Sequence, residues 1–207
     1  MNFGTLYAFI LASAALAISP GVDNIYVLMQ SVINGRKYGL ATVTGLMSGC
    51  LVHTTLVTFG ISTLISQNEK LFFVIKLLGT LYVFFLAFKV WRSDASLQLS
   101  DRVEKKNVIQ LYKQGFVMNV LNPKVSIFFL AFFPGFLFST NLSTIIQFYI
   151  LGFLFIIVSF IVFAGIVVMA GYISDYIKEN SKALVFLKWL QIIVFIGIGV
   201  FILFSEK

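Results

Sequence analysis

The chain has 207 residues, of which 59% are hydrophobic, 24 are phenylalanine and only 11% are charged. That composition, with a mean hydropathy of +0.99, excludes an ordinary soluble domain and indicates a single integral membrane domain surrounded by lipid. The formal net charge of +7 does not point to nucleic acid, because the basic residues lie in short connections between apolar runs and form no stripe interleaved with stacking aromatics.

Apolar segments at about 4–30, 38–65, 70–91, 112–138, 143–173 and 184–204 are each long enough to cross roughly 30 Å of hydrocarbon as a helix. The predicted fold is therefore all-α, with six transmembrane helices. No segment shows the sustained apolar/polar alternation that a β-barrel of this length would need.

The first segment is Ala-rich around Ala12 to Ala17, but no Lys or Arg precedes it, so it reads as the first span and not as a removed signal. Ser19-Pro20-Gly21 interrupts it, since proline removes a backbone donor and glycine adds freedom. Alone, this could be a mere kink, because Pro and Gly are tolerated in membrane helices. Asp23 changes the reading: an ionised carboxylate facing lipid would be several kcal/mol unfavourable without water, a partner or a cation. Ser19, Pro20, Gly21, Asp23 and the adjoining Asn24 are the candidate substrate-binding residues of this break.

In the second segment Gly45, Gly49 and His53 follow at four-residue spacing and share one helix face, the pattern of a close helix contact. The contact could lie within the monomer, the better-supported reading, or in a homo-oligomer. His53, the only histidine, is either a packing residue hydrogen-bonded across that contact or a proton-coupling or substrate-contacting group. The single cysteine, Cys50, permits no intrachain disulfide and no redox or zinc pattern, and reads as a small packing residue. No cofactor or metal is expected. In the third segment Lys76 is close enough to a membrane surface to snorkel outward in preference to serving a site. Lys76 and Tyr82 are lower-ranked site candidates.

The polar segment at about 92–107 divides one transporter domain, 1–207, into repeat 1 at about 1–91 and repeat 2 at about 108–207. With both termini outside, the inward connections hold Arg36, Lys37, Lys89, Arg92, Arg102, Lys105, Lys106, Lys113, Lys178, Lys182 and Lys188, 11 of the 15 basic residues. That asymmetry favours N-out, C-out. Three spans per half is an odd number, so halves that share a fold must be inverted relative to each other. Each half has a broken first helix (spans 1 and 4), a Gly-containing second, and a third beginning near a lysine, Phe73-Val74-Ile75-Lys76 against Val185-Phe186-Leu187-Lys188.

The fourth segment repeats the logic of the first with opposite charge. Asn122-Pro123 interrupts it, Asn119 lies one turn earlier, and Lys124 follows directly. Brought together near the midplane, the two breaks would surround one space with an anionic Asp23, a cationic Lys124, Asn119, Asn122 and half-helix termini. Such a space suits a zwitterion, its ammonium on Asp23 and its carboxylate on Lys124 or a half-helix N-terminus. The competing reading is a direct Asp23–Lys124 ion pair that pins the halves together.

At these residues the chain resembles the LysE/RhtB family of bacterial amino-acid exporters over most of its length. The likeness rests on Ser19-Pro20-Gly21-x-Asp23, Gly35-Arg36-Lys37-x-Gly39, Gly45-xxx-Gly49-xxx-His53, Lys76-xx-Gly79-xx-Tyr82 and Gly115-Phe116-xx-Asn119-xx-Asn122-Pro123-Lys124-xxx-Phe128-Phe129-xxxx-Pro134-x-Phe136. The resemblance implies a multi-pass carrier of the bacterial inner membrane that expels amino acids or close derivatives, driven by protons, with Asp23 and His53 as coupling candidates. The His53 block is closer to the threonine, homoserine and leucine exporter branch than to the basic amino-acid branch. Val22 stands where the family usually has a second proline, and Gly135 where glutamine is common.

Other function classes fit less well. An intramembrane serine hydrolase would need Ser48 and His53 to pair, yet five residues separate them by about 140° in helical projection. No Gly-xxxx-Gly-Lys-Ser/Thr loop is present for ATP. A passive channel could use the same polar pair as a constriction, whereas a non-transporting scaffold has no need for charges at depth.

Overall fold

The computed structural model describes residues 2–19, 21–67, 69–92, 107–179 and 181–204. Helices run in the order α1 (Phe3–Ile18), α2 (Val22–Ile33), α3 (Arg36–Gln67), α4 (Glu69–Arg92), α5 (Val108–Val120), α6 (Pro123–Phe132), a 3-10 turn (Phe133–Phe136), α7 (Thr144–Val168), α8 (Ala170–Glu179) and α9 (Ser181–Phe204). Among the described residues there is no strand. The all-α reading therefore holds.

Among the described residues two stretches, Arg36–Gly60 and Thr144–Val168, are long and apolar enough to cross a membrane, and α1 with α2 forms a third candidate bent by 61° at its break. That bend is the interruption expected at Ser19-Pro20-Gly21; Pro20 itself lies outside the described residues. The second break also appears, with α5 ending at Val120 and α6 beginning at Pro123. The expected 143–173 segment differs from what is found: α7 stops at Val168, Met169 turns, and α8 begins separately. The apolar run gives out there, and α8 alternates buried Ala170 and Ser174 with exposed Tyr172 and Tyr176, as a helix half in contact with polar surroundings does.

Local sequence explains the connections. Gly35, at φ +99°, makes the left-handed turn between α2 and α3 that a side chain would strain. Four residues on, a Cβ at Gly39 would run into the Ser31 side chain, so the α2–α3 hairpin closes only around glycine. On the far side of the molecule, buried Gln147 of α7 accepts from the backbone N–H groups of Phe138 and Ser139 (2.8 and 2.9 Å) and donates to the carbonyls of Ser139 and Leu142 (2.8 and 2.9 Å). One side chain thereby satisfies a loop that would otherwise leave buried backbone groups unmet.

The closest helix crossing is between α3 and α5. A Cβ at Gly45 would collide with the Tyr112 carbonyl and one at Gly115 with the Thr42 carbonyl, so the two backbones touch. At the next turn Gly49 leaves room for Asn119, whose Oδ1 would stand 2.6 Å from a Cβ there. The glycine spacing is thus a contact within the chain, as preferred from the sequence. It fixes the height of the end of α5, and therefore of the second break.

Beside these helices one cluster of buried apolar side chains is largely aromatic. Phe9 of α1 lies 5.4 Å from Phe133 and from Phe136, Phe128 stacks on Phe132 at 4.3 Å, and Phe129 meets Phe133 at 4.4 Å and Phe155 of α7 at 5.1 Å. These offset and edge contacts add to the area buried and tie α1, α6 and α7 together beside the breaks.

Gly115→Ala should destabilise the protein by about 1–3 kcal/mol through overpacking, lowering its melting temperature in detergent by several degrees. Gly60→Ala on α3, where a Cβ would meet nothing within 4 Å, should leave the midpoint unchanged. Equal midpoints for the two variants would contradict the close crossing.

Candidate functional site

The first break ends α1 with carbonyls that have no further turn to bond, as every helix C-terminus does. Two side chains take them. Lys124 Nζ, reaching from α6, donates to Leu16 O (3.4 Å), Ser19 O (3.1 Å) and Ser19 Oγ (3.4 Å), and Asn24 Nδ2 donates to Ala17 O (2.7 Å). A cation at the negative end of the α1 dipole is favourable, more so where water is scarce. Gly21, the extended residue at the start of α2, lets Lys124 pass closely: a Cβ there would lie 3.6 Å from Nζ. The ammonium also sits 5.6 Å from the centre of the Phe195 ring of α9, within cation–π range.

Asp23 stands in the first turn of α2, where the helix dipole favours an anion, and it is only 9% exposed. Asn122 Nδ2 donates to Asp23 Oδ2 at 2.7 Å. The other end of the same amide caps α6, with Oδ1 accepting from Lys124 N at 2.9 Å. One asparagine therefore joins a carboxylate on α2 to the first turn of α6, 99 positions apart in the chain. Pro123 begins α6, a position where its missing N–H is no loss.

The direct Asp23–Lys124 ion pair is not formed. Lys124 is bonded to α1 and Asp23 to Asn122. Each charge is met by a neutral dipole of the opposite half of the chain, so the two halves are joined without the charges neutralising one another.

His53 and Asn119 complete the second break. His53 is 5% exposed, and its Nε2 lies 3.1 Å from Asn119 O, which requires the Nε2–H tautomer because a carbonyl only accepts. That oxygen also accepts from Asn122 N at 3.0 Å. The Asn119 amide rests on Cys50, with Nδ2 3.4 Å from Sγ. The His53 ring is 5.4 Å from that of Phe129. His53 is thus hydrogen-bonded across the α3–α5 contact, as its packing reading requires. Ser48 has other partners, donating to Thr44 O (2.9 Å) and accepting from Tyr112 OH (3.0 Å).

A small cavity of about 30 Å³ lies between the breaks. It is lined by Leu16, Ala17, Asp23 and Asn24 of α1 and α2, by Leu46, Met47 and Cys50 of α3, by Asn119, Lys124 and Val125 of α5 and α6, and by Phe155, Ser159 and Phe163 of α7. A cavity needs roughly 10–15 Å³ to hold a water, so this one is of a size for water and too small for an amino acid.

The structure thus brings Asp23, Asn24, Asn119 and Lys124 to one cavity and places Ser19, Gly21 and Asn122 in contact with that set. His53 braces the site from behind and does not line it. The side chains of Lys76, Tyr82 and Pro123, like Pro20, lie outside the described residues. Sequence reasoning missed Ser159, although a signal existed: it is the sole polar side chain between Tyr149 and the end of α7. It also missed the lining role of Cys50, for which a lone small residue in an apolar run offers no signal.

The family model "LysE type translocator" matches residues 14–206. The homoserine/homoserine lactone efflux protein of Salmonella typhimurium is 31% identical over 89% of this chain and 90% of its own. The leucine efflux protein of Salmonella choleraesuis is 26% identical over 87% of each chain, and an uncharacterised membrane protein of Vibrio cholerae is 26% identical over 87% of this chain and 88% of its own. No solved structure matches. With residues 14–206 matched, both breaks lie inside the matched range, and the chain belongs to the LysE type translocator family.

Proposed function

We propose that this protein is a secondary transporter that exports amino acids or close derivatives across the bacterial inner membrane by proton-coupled exchange with alternating access. Family membership and relatives named for homoserine and leucine efflux support the substrate class. The observation that carries the reading is the division of charge at the paired breaks: Asp23 and Lys124 share one cavity yet each is held by neutral partners. A zwitterion entering there places its ammonium against Asp23 and its carboxylate against Lys124, exchanging hydrogen bonds between a charge and a neutral group for ones between two full charges.

A cavity of about 30 Å³ must open to admit such a ligand, and this favours a cycle of closed and open states over a standing pore. The six spans are read as two inverted triplets. In support, the second helix of each half packs on the first helix of the other, α3 on α5 and α7 on α1, and the third helices α4 and α9 pack together. The basic connections favour N-out, C-out orientation. Proton exchange is assigned to Asp23, with His53 as the second candidate through its hold on the end of α5.

Asp23→Asn should abolish export while the protein still inserts and keeps its melting behaviour. Growth protection against a panel of amino acids and analogues, read beside membrane expression, checks this; normal protection by a well-expressed variant would contradict the site. Lys124→Ala should impair counterflow in proteoliposomes more than Lys76→Ala, and equal or reversed defects would contradict the ranking. Asn122→Ala should lower stability by about 1–3 kcal/mol, because it leaves a buried carboxylate and a helix N-terminus unmet. An unchanged melting temperature would show that the bridge contributes nothing.

A further inference from the structure

The cavity has a wall that neither break supplies. Phe155, Ser159 and Phe163 succeed one another at four-residue spacing on α7 and line it as a single stripe. Every polar side chain that the breaks present to this space is already engaged: Asn24 with Ala17 O, Asp23 with Asn122, Lys124 with the end of α1, and Asn119 with Cys50. Ser159 is the exception. It is 1% exposed, and its Oγ has no hydrogen-bond partner.

A buried helix hydroxyl normally closes back on the carbonyl four residues earlier, and this protein follows that habit elsewhere. Ser31, Thr42, Ser48, Thr54, Thr58 and Ser126 all do so, at 2.6–3.1 Å. Ser159 forgoes that bond, and its Oγ, enclosed in this closed state, belongs to a residue of the cavity wall, so opening the cavity to a ligand can bring its donor and acceptor capacity to the occupant. Ser13 of α1 and Gln30 of α2 also carry unpaired buried atoms, but neither lines this cavity. On either side of Ser159 the wall is aromatic, and Leu46 and Met47 continue it with apolar surface. A short uncharged side chain with one hydrogen-bonding group matches that surface, whereas a charged one would find no counter-ion beyond Asp23 and Lys124.

We propose that Ser159 is a specificity-determining residue that hydrogen-bonds the side chain of the substrate and selects a short side chain ending in a hydroxyl over its apolar isostere. The proposal rests on the reading that the breaks hold the substrate's ammonium and carboxylate. A site built to hydrogen-bond a substrate hydroxyl discriminates against the analogue lacking it, because the protein group is left unpaired when that analogue binds.

The test is counterflow in proteoliposomes containing the purified full-length protein, with labelled L-homoserine and, separately, labelled L-norvaline, in which a methyl group replaces the hydroxyl. The wild-type protein should exchange homoserine about tenfold faster or more. Ser159→Ala should bring the two rates to within about threefold by losing homoserine and gaining norvaline. Ser159→Thr, which keeps the hydroxyl, should retain the wild-type preference. Ser159→Ala should melt in detergent no lower than wild type, since it removes an unpaired buried hydroxyl. An unchanged ratio in Ser159→Ala, no preference in the wild type, or a proportional loss of both substrates with a lowered melting temperature would overturn the proposal and leave the export reading standing. Counterflow of neither substrate by the wild type would overturn this proposal, and absence of counterflow across the whole amino-acid panel would overturn the export reading as well.

Discussion

A helix interrupted among apolar side chains leaves carbonyls and amides at its broken ends that need partners, and in this protein each interruption draws partners from the other. The ammonium of Lys124 closes the C-terminal end of α1, while the Asn122 amide caps α6 and holds the Asp23 carboxylate at the start of α2. Each break has a partner of its own, Asn24 on Ala17 O and Asn122 on Lys124 N, and is completed by the other half of the chain. Their mutual dependence sets where the halves meet, and it leaves two opposite charges at one cavity without an ion pair between them.

That arrangement requires the second break to stand at a fixed height against α3. The glycines do this by removing side chains where backbones must touch, Gly45 against α5, Gly115 against α3, and Gly49 over Asn119. His53 then bonds the carbonyl of Asn119, so a motif spaced by four along α3 ends on the last turn of α5. The aromatic cluster from Phe9 to Phe155 packs the space beside the breaks. Phe155 belongs to both the cluster and the cavity wall, so opening the cavity to a ligand must disturb aromatic packing, and the occupied and empty states differ in more than one side chain.

Much of this was legible in the sequence, for reasons that differ by residue. Proline and glycine at the breaks, and charges inside apolar runs, are strong because lipid leaves few alternatives; Asp23, Asn119, Asn122 and Lys124 were all found that way. Whether Asp23 and Lys124 pair with each other could not be read, because it depends on where the α1 carbonyls and the Asn122 amide fall in space. The separation of α8 from α7 was missed because hydropathy fades gradually through Ala170 and Gly171 and marks no turn. Ser159 was missed because one serine in an apolar helix ordinarily bonds its own backbone, and only the structure shows that this one does not.

The account stands on the paired breaks as a receptor for the charged ends of an amino acid. The most direct measurement is the melting temperature of the purified protein with a panel of neutral L-amino acids and the matching N-acetyl derivatives, which keep the side chain and carboxylate but lose the ammonium that Asp23 is assigned to receive. The account predicts stabilisation by one or more free amino acids and none by their N-acetyl counterparts. Equal stabilisation by both members of a pair would contradict it.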